Sequence, residues 1–296
     1  MIERVSWGGW PNCYRLTDGR TELIATSDVG PRIVRYGFVG GQNMLLERPE
    51  EQGTAGETDF VVRGGHRLWV APEHREGTYK ADNLPCDVQI HDGTLVLTGP
   101  VEAGTGFRKQ LQLHCNEQGE LEIVHRLCNT LQWDVKVSIW ALTMMAQGGY
   151  GITGFPPRGG HPEHLAPTNP LVMWAFTDLT DPRLTFTPKH LVLRQDPSRS
   201  EPFKLAHFNV NSWGAYLLGG ELFLKRYRAQ TGVEYPDFGC SFEIWTNAGT
   251  LELETLSPLT QLQPGAWLVH KEVWSLRANV AIKEWNDESI SSLFKS

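Results

Sequence analysis

The fold class follows from residues 107–126, FRKQLQLHCNEQGELEIVHR, where apolar and polar side chains alternate at most positions. Alternation with a period of two is typical of a β-strand with one face buried. Residues 116–119, Asn-Glu-Gln-Gly, interrupt the alternation with turn-forming residues, and it then resumes. The stretch therefore predicts a β-hairpin with one largely apolar face.

Short runs of the same kind recur along the chain, at residues 21–26, 32–38, 87–90, 94–98, 136–142, 215–218, 222–228, 241–246, 251–256 and 267–274. Turn-forming pairs such as Asp92-Gly93 separate them. Helical periodicity is confined to residues 282–293. We expect an all-β fold of fifteen or more strands, a large antiparallel β-sandwich formed by residues 1–296 as a single domain.

Residues 148–202 differ from the rest because they are rich in Gly, Pro and His. We expect a long excursion between two halves of a sheet. Long loops in compact domains usually have a function.

Charge and composition exclude several classes of partner. The net charge of -7 and the absence of a basic run argue against nucleic acid and anionic membranes. No apolar run approaches the roughly 18 residues of a membrane span, and the first residues lack a signal-peptide pattern. Five cysteines without a CxxC motif indicate reduced thiols. We expect a cytoplasmic protein, monomeric or homodimeric.

No sequence feature predicts a metal or another cofactor. His161 and His164 match no zinc-binding spacing, and Gly-rich residues 148–151 do not join a strand to a helix as a nucleotide-binding loop would.

Glu252 and Glu254 form a candidate pair of functional carboxylates. In a strand over 251–256 they share one face, about 6 to 7 Å apart, with Leu251 and Leu253 on the other. If that face is partly buried, each charge disfavours the other, and the pKa of one rises. Such a carboxylate suits general base catalysis on a sugar hydroxyl. The alternative is that both side chains are solvated on an outward face.

Three segments resemble the galactose mutarotases (aldose 1-epimerases). Leu253-Glu254-Thr255 enters a Pro-containing loop and is similar to the family motif whose glutamate is the catalytic base. Residues 64–69, GGHRLW, resemble the strand that carries a sugar-binding arginine, here Arg67. Residues 30–33 with 43–45 resemble the N-terminal hairpin, which includes Arg32. The resemblance implies this fold and a small carbohydrate ligand.

A closer resemblance is to an uncharacterised branch of the same superfamily. It rests on residues 64–73, GGHRLWVAPE, on residues 235–237, YPD, and on the order of motifs within residues 251–274. It spans about residues 20 to 276.

One departure affects the expected activity. The mutarotases carry a catalytic histidine, the acid, on a strand near mid-chain, and the corresponding residues 136–144 contain none. His66 and Lys225 are candidates for the missing acid, and Trp140 on that strand is a candidate sugar platform. If no other residue supplies the proton, we expect the protein to bind sugar without catalysis.

The expected site is one cleft that contains Glu254, Arg67 and Trp140. Arg67 and Trp69 share a strand face, as a sugar-binding pair or as a structural cation–π pair. The residues expected near enough to contribute are Arg32, His66, Glu252, Lys225 and His270, with Asp237 as a further binding residue.

Three hypotheses of function follow. The first is a mutarotase-type isomerase with Glu254 as base. The second is a non-catalytic carbohydrate-binding domain, which the missing histidine favours. The third is a glycoside hydrolase or polysaccharide lyase, in which Glu254 would act with Asp237 or Glu243 across a bound sugar ring.

Overall fold

Two antiparallel sheets make up most of the computed structural model, which describes residues 1–294. The first sheet runs in the order β1 (Ile2–Trp7), β2 (Trp10–Thr17), β3 (Thr21–Thr26), β4 (Arg32–Phe38), β5 (His66–Ala71), β10 (Val135–Met145), β19 (Leu251–Leu256), β18 (Phe242–Thr246), β15 (Phe203–His207), β12 (Leu171–Met173), and β20 (Thr260–Leu262) pairs with β10. This large antiparallel sheet is half of the expected sandwich.

The second sheet runs in the order β13 (Leu184–Phe186), β14 (His190–Arg194), β11 (Tyr150–Gly154), β16 (Trp213–Leu218), β17 (Glu221–Arg226), β21 (Trp267–Arg277), β9 (Leu121–Asn129), β8 (Phe107–Cys115), β7 (Thr94–Val101), β6 (Asp87–His91). The described helices are short: α1 (Arg75–Thr78), α2 (Pro236–Gly239) and α3 (Asp287–Ser292). The prediction of an all-β sandwich with little helix is confirmed. Within residues 1–294, no helix has the length and apolarity needed to cross a bilayer.

The hairpin predicted from residues 107–126 is β8 paired with β9. Its apolar face is fully enclosed between the sheets, as Leu111, Leu113 and Ile123 have no exposed surface. Burial of these side chains is the main driving force for packing one sheet against the other.

The expected excursion over residues 148–202 is wrong in part, because this segment contains four strands. β11, β13 and β14 extend the second sheet, and β12 forms an edge of the first. β12 and β13 have three residues each, too few for alternation to be recognised in the sequence. β1 and β2 were also not predicted, whereas α3 lies within the predicted helical tail.

Three adjacent strands in the middle of the first sheet position the candidate site. β10 pairs with β5 on one side and with β19 on the other, so that Leu142 lies opposite both Arg67 and Glu254. Because side chains alternate across a strand, Arg67, Trp140 and Glu254 share the outer face of this sheet. Their chain neighbours point inward to the second sheet.

Candidate functional site

A cavity of about 430 Å³ lies on the outer face of the first sheet. Strands β5, β10 and β19 contribute Arg67, Trp69, Trp140 and Glu252 to its lining. This volume is in the range of cavities that bind small molecules. It has the size to hold one sugar ring.

Aromatic rings make up much of the cavity wall. Trp69 and Trp140 pack edge to face with ring centroids 5.1 Å apart. Phe60 and Tyr79 pack against Trp69, with ring centroids 5.9 and 5.2 Å away. Trp174 and Phe176 from the segment after β12, and Trp245 on β18, also line the cavity. Such rings offer the apolar surface that the C–H face of a sugar requires.

Arg67 is held in place by ionic and stacking contacts. Its Nη2 lies 2.8 Å from Asp82 Oδ2, and its guanidinium stacks on the rings of Phe60 and Trp69 at 4.6 and 5.2 Å. Burial acts to raise the pKa of Asp82, but Arg67 and Arg32 hold it well below its ordinary value. Two donors of Arg67, Nε and Nη1, have no hydrogen-bond partner within the described chain. They are available to a ligand.

Glu254 lies directly beneath the lining and is fully buried. Its Oε2 accepts hydrogen bonds from Trp140 Nε1 at 2.7 Å and from Lys204 Nζ at 3.1 Å. Its Oε1 is buried and has no partner among residues 1–294. The glutamate is therefore oriented through one oxygen, and the other retains its capacity to accept a proton or a hydrogen bond.

Lys204 supplies the positive charge on this side of the cavity. Its ammonium forms an ion pair with Glu243 at 2.6 Å as well as with Glu254. It also lies over the rings of Trp140 and Trp174, at 4.7 and 4.5 Å. Burial opposes the charge, but the two carboxylates raise the pKa of Lys204 above its ordinary value. Lys204 thus stays a cation and is committed to these partners.

Glu252 is the cavity-lining carboxyl group of the Glu252–Glu254 pair. It is only partly buried, and no hydrogen bond to its carboxyl group occurs within residues 1–294. Burial and the nearby charge of Glu254 raise the pKa of Glu252 to about 8. The raised pKa favours the protonated form of this side chain at neutral pH.

Two other expected binding residues, Arg32 and Asp237, do not line the cavity. Arg32 lies beside Arg67 in the neighbouring strand but is fully buried, donating to Val62 O, Gly64 O and Asp82. Its contacts hold the backbone of residues 62–64 and Asp82 in place. Asp237 lies in α2 with a φ of 51° and does not line the cavity.

The expectation that His66, Lys225 and His270 lie near the cleft is wrong. His66 alternates with Arg67 on β5 and therefore points between the sheets, where it is fully buried. Lys225 on β17 and His270 on β21 enter the same interior from the second sheet. Consecutive residues of a strand lie on opposite faces of the sheet. The family resemblance predicted the strand but not which of its side chains face the cavity.

These three residues belong to a hydrogen-bonded interior cluster. His66 Nε2 lies 2.7 Å from His125 Nε2, and Lys225 Nζ lies 2.9 Å from Glu272 Oε1. Burial lowers the pKa of both histidines. His66, His125 and Glu272 are metal-ligand types whose donor atoms lie within 4.8 Å of one another. Their contacts are nevertheless those of a hydrogen-bonded network in which Lys225 provides the cation.

Sequence reasoning missed Lys204, Tyr79 and Trp174, and it weighed Glu243 only as a hydrolytic carboxylate. The run 203–207 was not recognised as a strand, although Lys204 alternates there with apolar residues. Trp174 comes from the segment that the sequence analysis described as an excursion. Trp69 and Trp140, both named as candidate binding residues from the sequence, do line the cavity.

Known proteins share this fold at low sequence identity. No family model and no curated protein matches the chain. The structure of Slr1438 from Synechocystis sp. PCC 6803 matches with a TM-score of 0.58 at 14% identity, covering 94% of this chain and 99% of that one. A galactose mutarotase-like protein from Lactobacillus casei matches with a TM-score of 0.58 at 11% identity, covering 90% and 100%.

A galactose mutarotase related enzyme from Lactobacillus acidophilus matches with a TM-score of 0.54 at 9% identity, covering 90% of this chain and 98% of that one. These matches extend over nearly the whole of each chain, so the similarity includes both sheets. At such identities a match shows the fold, and the activity has to be argued from the residues of the site. The chain has the galactose mutarotase-like fold.

Proposed function

We propose that the cavity binds an aldose or a derivative of one, and that the protein catalyses proton transfer at the anomeric centre as an aldose 1-epimerase does. The observation that carries the proposal is the set of buried polar atoms without partners at this cavity. They are Arg67 Nε and Nη1, Trp69 Nε1 and Glu254 Oε1. Unsatisfied buried groups are costly, so four of them around one cavity favour a polar ligand that completes their hydrogen bonds.

Donors, acceptors and aromatic faces together match the surface of a sugar. The Arg67 and Trp69 N–H groups suit hydroxyl oxygens, and Glu254 Oε1 suits a hydroxyl proton. The Trp69 and Trp140 rings suit the apolar face of the pyranose. A phosphorylated sugar is disfavoured, because Arg67 and Lys204 already neutralise carboxylates of the protein.

Mutarotation requires a base at the anomeric hydroxyl and an acid at the ring oxygen. Glu254 is the proposed base, as the resemblance of Leu253-Glu254-Thr255 implies. Its hydrogen bonds to Trp140 and Lys204 fix one oxygen, which leaves Oε1 to accept the proton. Ligand entry must open a path to Oε1, because Glu254 is fully buried in the unliganded cavity.

That full burial specifically favours a second candidate function, carbohydrate binding without catalysis. No histidine lines the cavity within residues 1–294. In this alternative Glu254 only orients Trp140 and Lys204, and the cavity recognises sugar through Arg67 and the aromatic rings.

Polarimetry with freshly dissolved α-anomers of several aldoses separates the two candidates. We expect wild-type protein to accelerate mutarotation of at least one aldose, and Glu254→Gln to reduce that acceleration by about 10² or more. Equal acceleration by the two proteins removes Glu254 as the base. Sugar binding by calorimetry without any acceleration supports the binding function instead.

A further inference from the structure

We propose that Glu252 is the general acid of this site and donates its proton to the ring oxygen of the bound sugar. The inference rests on the proposed function and names the residue that replaces the absent histidine. Glu252 lines the cavity and has no hydrogen-bond partner for its carboxyl group within residues 1–294. It is therefore open to the ligand.

The other charged groups that face Glu252 are already committed. Lys204 on β15 holds Glu243 and Glu254, and Arg67 on β5 holds Asp82. Glu73, at the edge of the cavity, accepts a hydrogen bond from the Tyr79 hydroxyl. No cation is left to pair with Glu252 in the described part of the site.

Charge counting points to a retained proton. Three cations, Arg32, Arg67 and Lys204, face the five carboxyl groups of Asp82, Glu243, Glu254, Glu252 and Glu73. An aromatic-walled cavity solvates such an excess of negative charge poorly, so protonation of one carboxyl group is favoured. Burial raises the pKa of both Glu243 and Glu252, the latter to about 8. Glu243 is paired with Lys204, whereas Glu252 has no cationic partner, so Glu252 is the group proposed to hold the proton.

Strand geometry places the proposed proton donor, Glu252, and the proposed acceptor, Glu254, on the same face of the sheet. Glu252 and Glu254 are two residues apart on β19 and share its outer face, about 6 to 7 Å apart along the strand. Side chains at this spacing can reach neighbouring atoms of one ligand, and the ring oxygen and anomeric hydroxyl oxygen are both bonded to the same carbon.

The proposed step is balanced within this pair. Glu254 Oε1 takes the proton of the anomeric hydroxyl while Glu252 protonates the ring oxygen. The bond between the anomeric carbon and the ring oxygen breaks, giving the open-chain aldehyde. Rotation about the adjacent carbon–carbon bond presents the other face of the aldehyde. Ring closure by the reverse transfers restores both carboxyl groups.

The first test is the pH profile of mutarotation for wild type, Glu252→Gln and a control, Glu122→Gln. Glu122 on β9 is paired with Lys271 on β21, in the second sheet, and does not line the cavity. We expect wild-type kcat/KM to fall as pH rises through about 8, and Glu252→Gln to lose about 10² to 10⁴ in rate. The control should keep the wild-type profile.

Active wild type with an equally active Glu252→Gln overturns this inference and leaves the proposed function standing. Inactive wild type on every aldose overturns both. A direct measurement is carbon-13 NMR titration of glutamate carboxyl groups, with the Glu252→Gln spectrum as assignment. A Glu252 resonance that titrates near pH 8 supports the inference, and one that titrates near 4.5 contradicts it.

Discussion

The same three strands, β5, β10 and β19, carry two polar clusters on opposite faces. The inner cluster of His66, Lys225 and Glu272 has partners for all its buried side-chain donors and acceptors. The outer cluster around Arg67 and Glu254 leaves several such atoms unpaired. Burial alone does not distinguish the two. The difference is that the outer cluster is incompletely hydrogen-bonded, which is the basis of our proposal that the outer face binds a ligand.

Breaking the inner cluster should have the largest effect, and the effect should be on stability. Glu272→Gln removes the charge that pairs with Lys225, which is fully buried. An uncompensated buried charge costs about 3 to 5 kcal/mol. Urea denaturation should show a loss of this size in the free energy of unfolding.

The surface variant Glu122→Gln is the matched control, because it removes one carboxylate from an exposed pair in the same sheet. It should change the free energy of unfolding by less than about 1 kcal/mol. Equal stability of Glu272→Gln and this control would contradict the description of the inner cluster as structural.

In the outer cluster, Glu252 should destabilise the fold as pH rises. Its pKa is about 8 in the folded protein against an ordinary value of 4.5. Between these values the folded state binds a proton that the unfolded state has lost, so stability falls with increasing pH. The free energy of unfolding of Glu252→Gln, relative to that of wild type, should therefore be higher at pH about 8 than at pH about 4.5.

The measurement is the free energy of unfolding of both proteins across this pH range. The difference between them isolates Glu252 from the histidines of the inner cluster. A difference that is independent of pH would show that Glu252 titrates normally.

The sequence predicted which side chains share a strand face, but it did not predict which of those faces is buried between the two sheets. Alternation correctly separated Arg67 from His66 and Glu254 from Leu253, because it depends only on strand geometry. Which face met the second sheet depended on pairing between distant strands, so His66, Lys225 and His270 were assigned to the wrong side. Lys204 was missed because β15 carried no motif.

Asp82→Asn should lower stability, because the buried Arg32 and Arg67 lose their carboxylate, and should have a smaller effect on sugar binding. Asp82 orients Arg67 and Arg32 together through their Nη2 atoms. Loss of its charge should loosen the Arg67 guanidinium and weaken sugar binding about tenfold, equivalent to about 1.4 kcal/mol. Isothermal titration calorimetry measures this change.

Asp181→Asn is the control for that experiment, since Asp181 pairs with the buried Arg183 outside the cavity. It should lower stability without changing sugar affinity. Equal affinities of the Asp82 and Asp181 variants would show that Asp82 has no role in positioning Arg67 for the ligand.

The contrast between the two clusters can be tested in one spectrum by the indole N–H signals of two tryptophans. Trp69 Nε1 at the cavity has no partner among residues 1–294, whereas Trp274 Nε1 in the inner cluster donates to Glu272 at 2.8 Å. In proton–nitrogen NMR titrations with D-galactose and D-glucose, the Trp69 signal should shift and saturate while the Trp274 signal stays in place. A Trp69 signal that neither sugar moves, or one that shifts no more than the Trp274 signal, would contradict the proposal that this cavity is the sugar site.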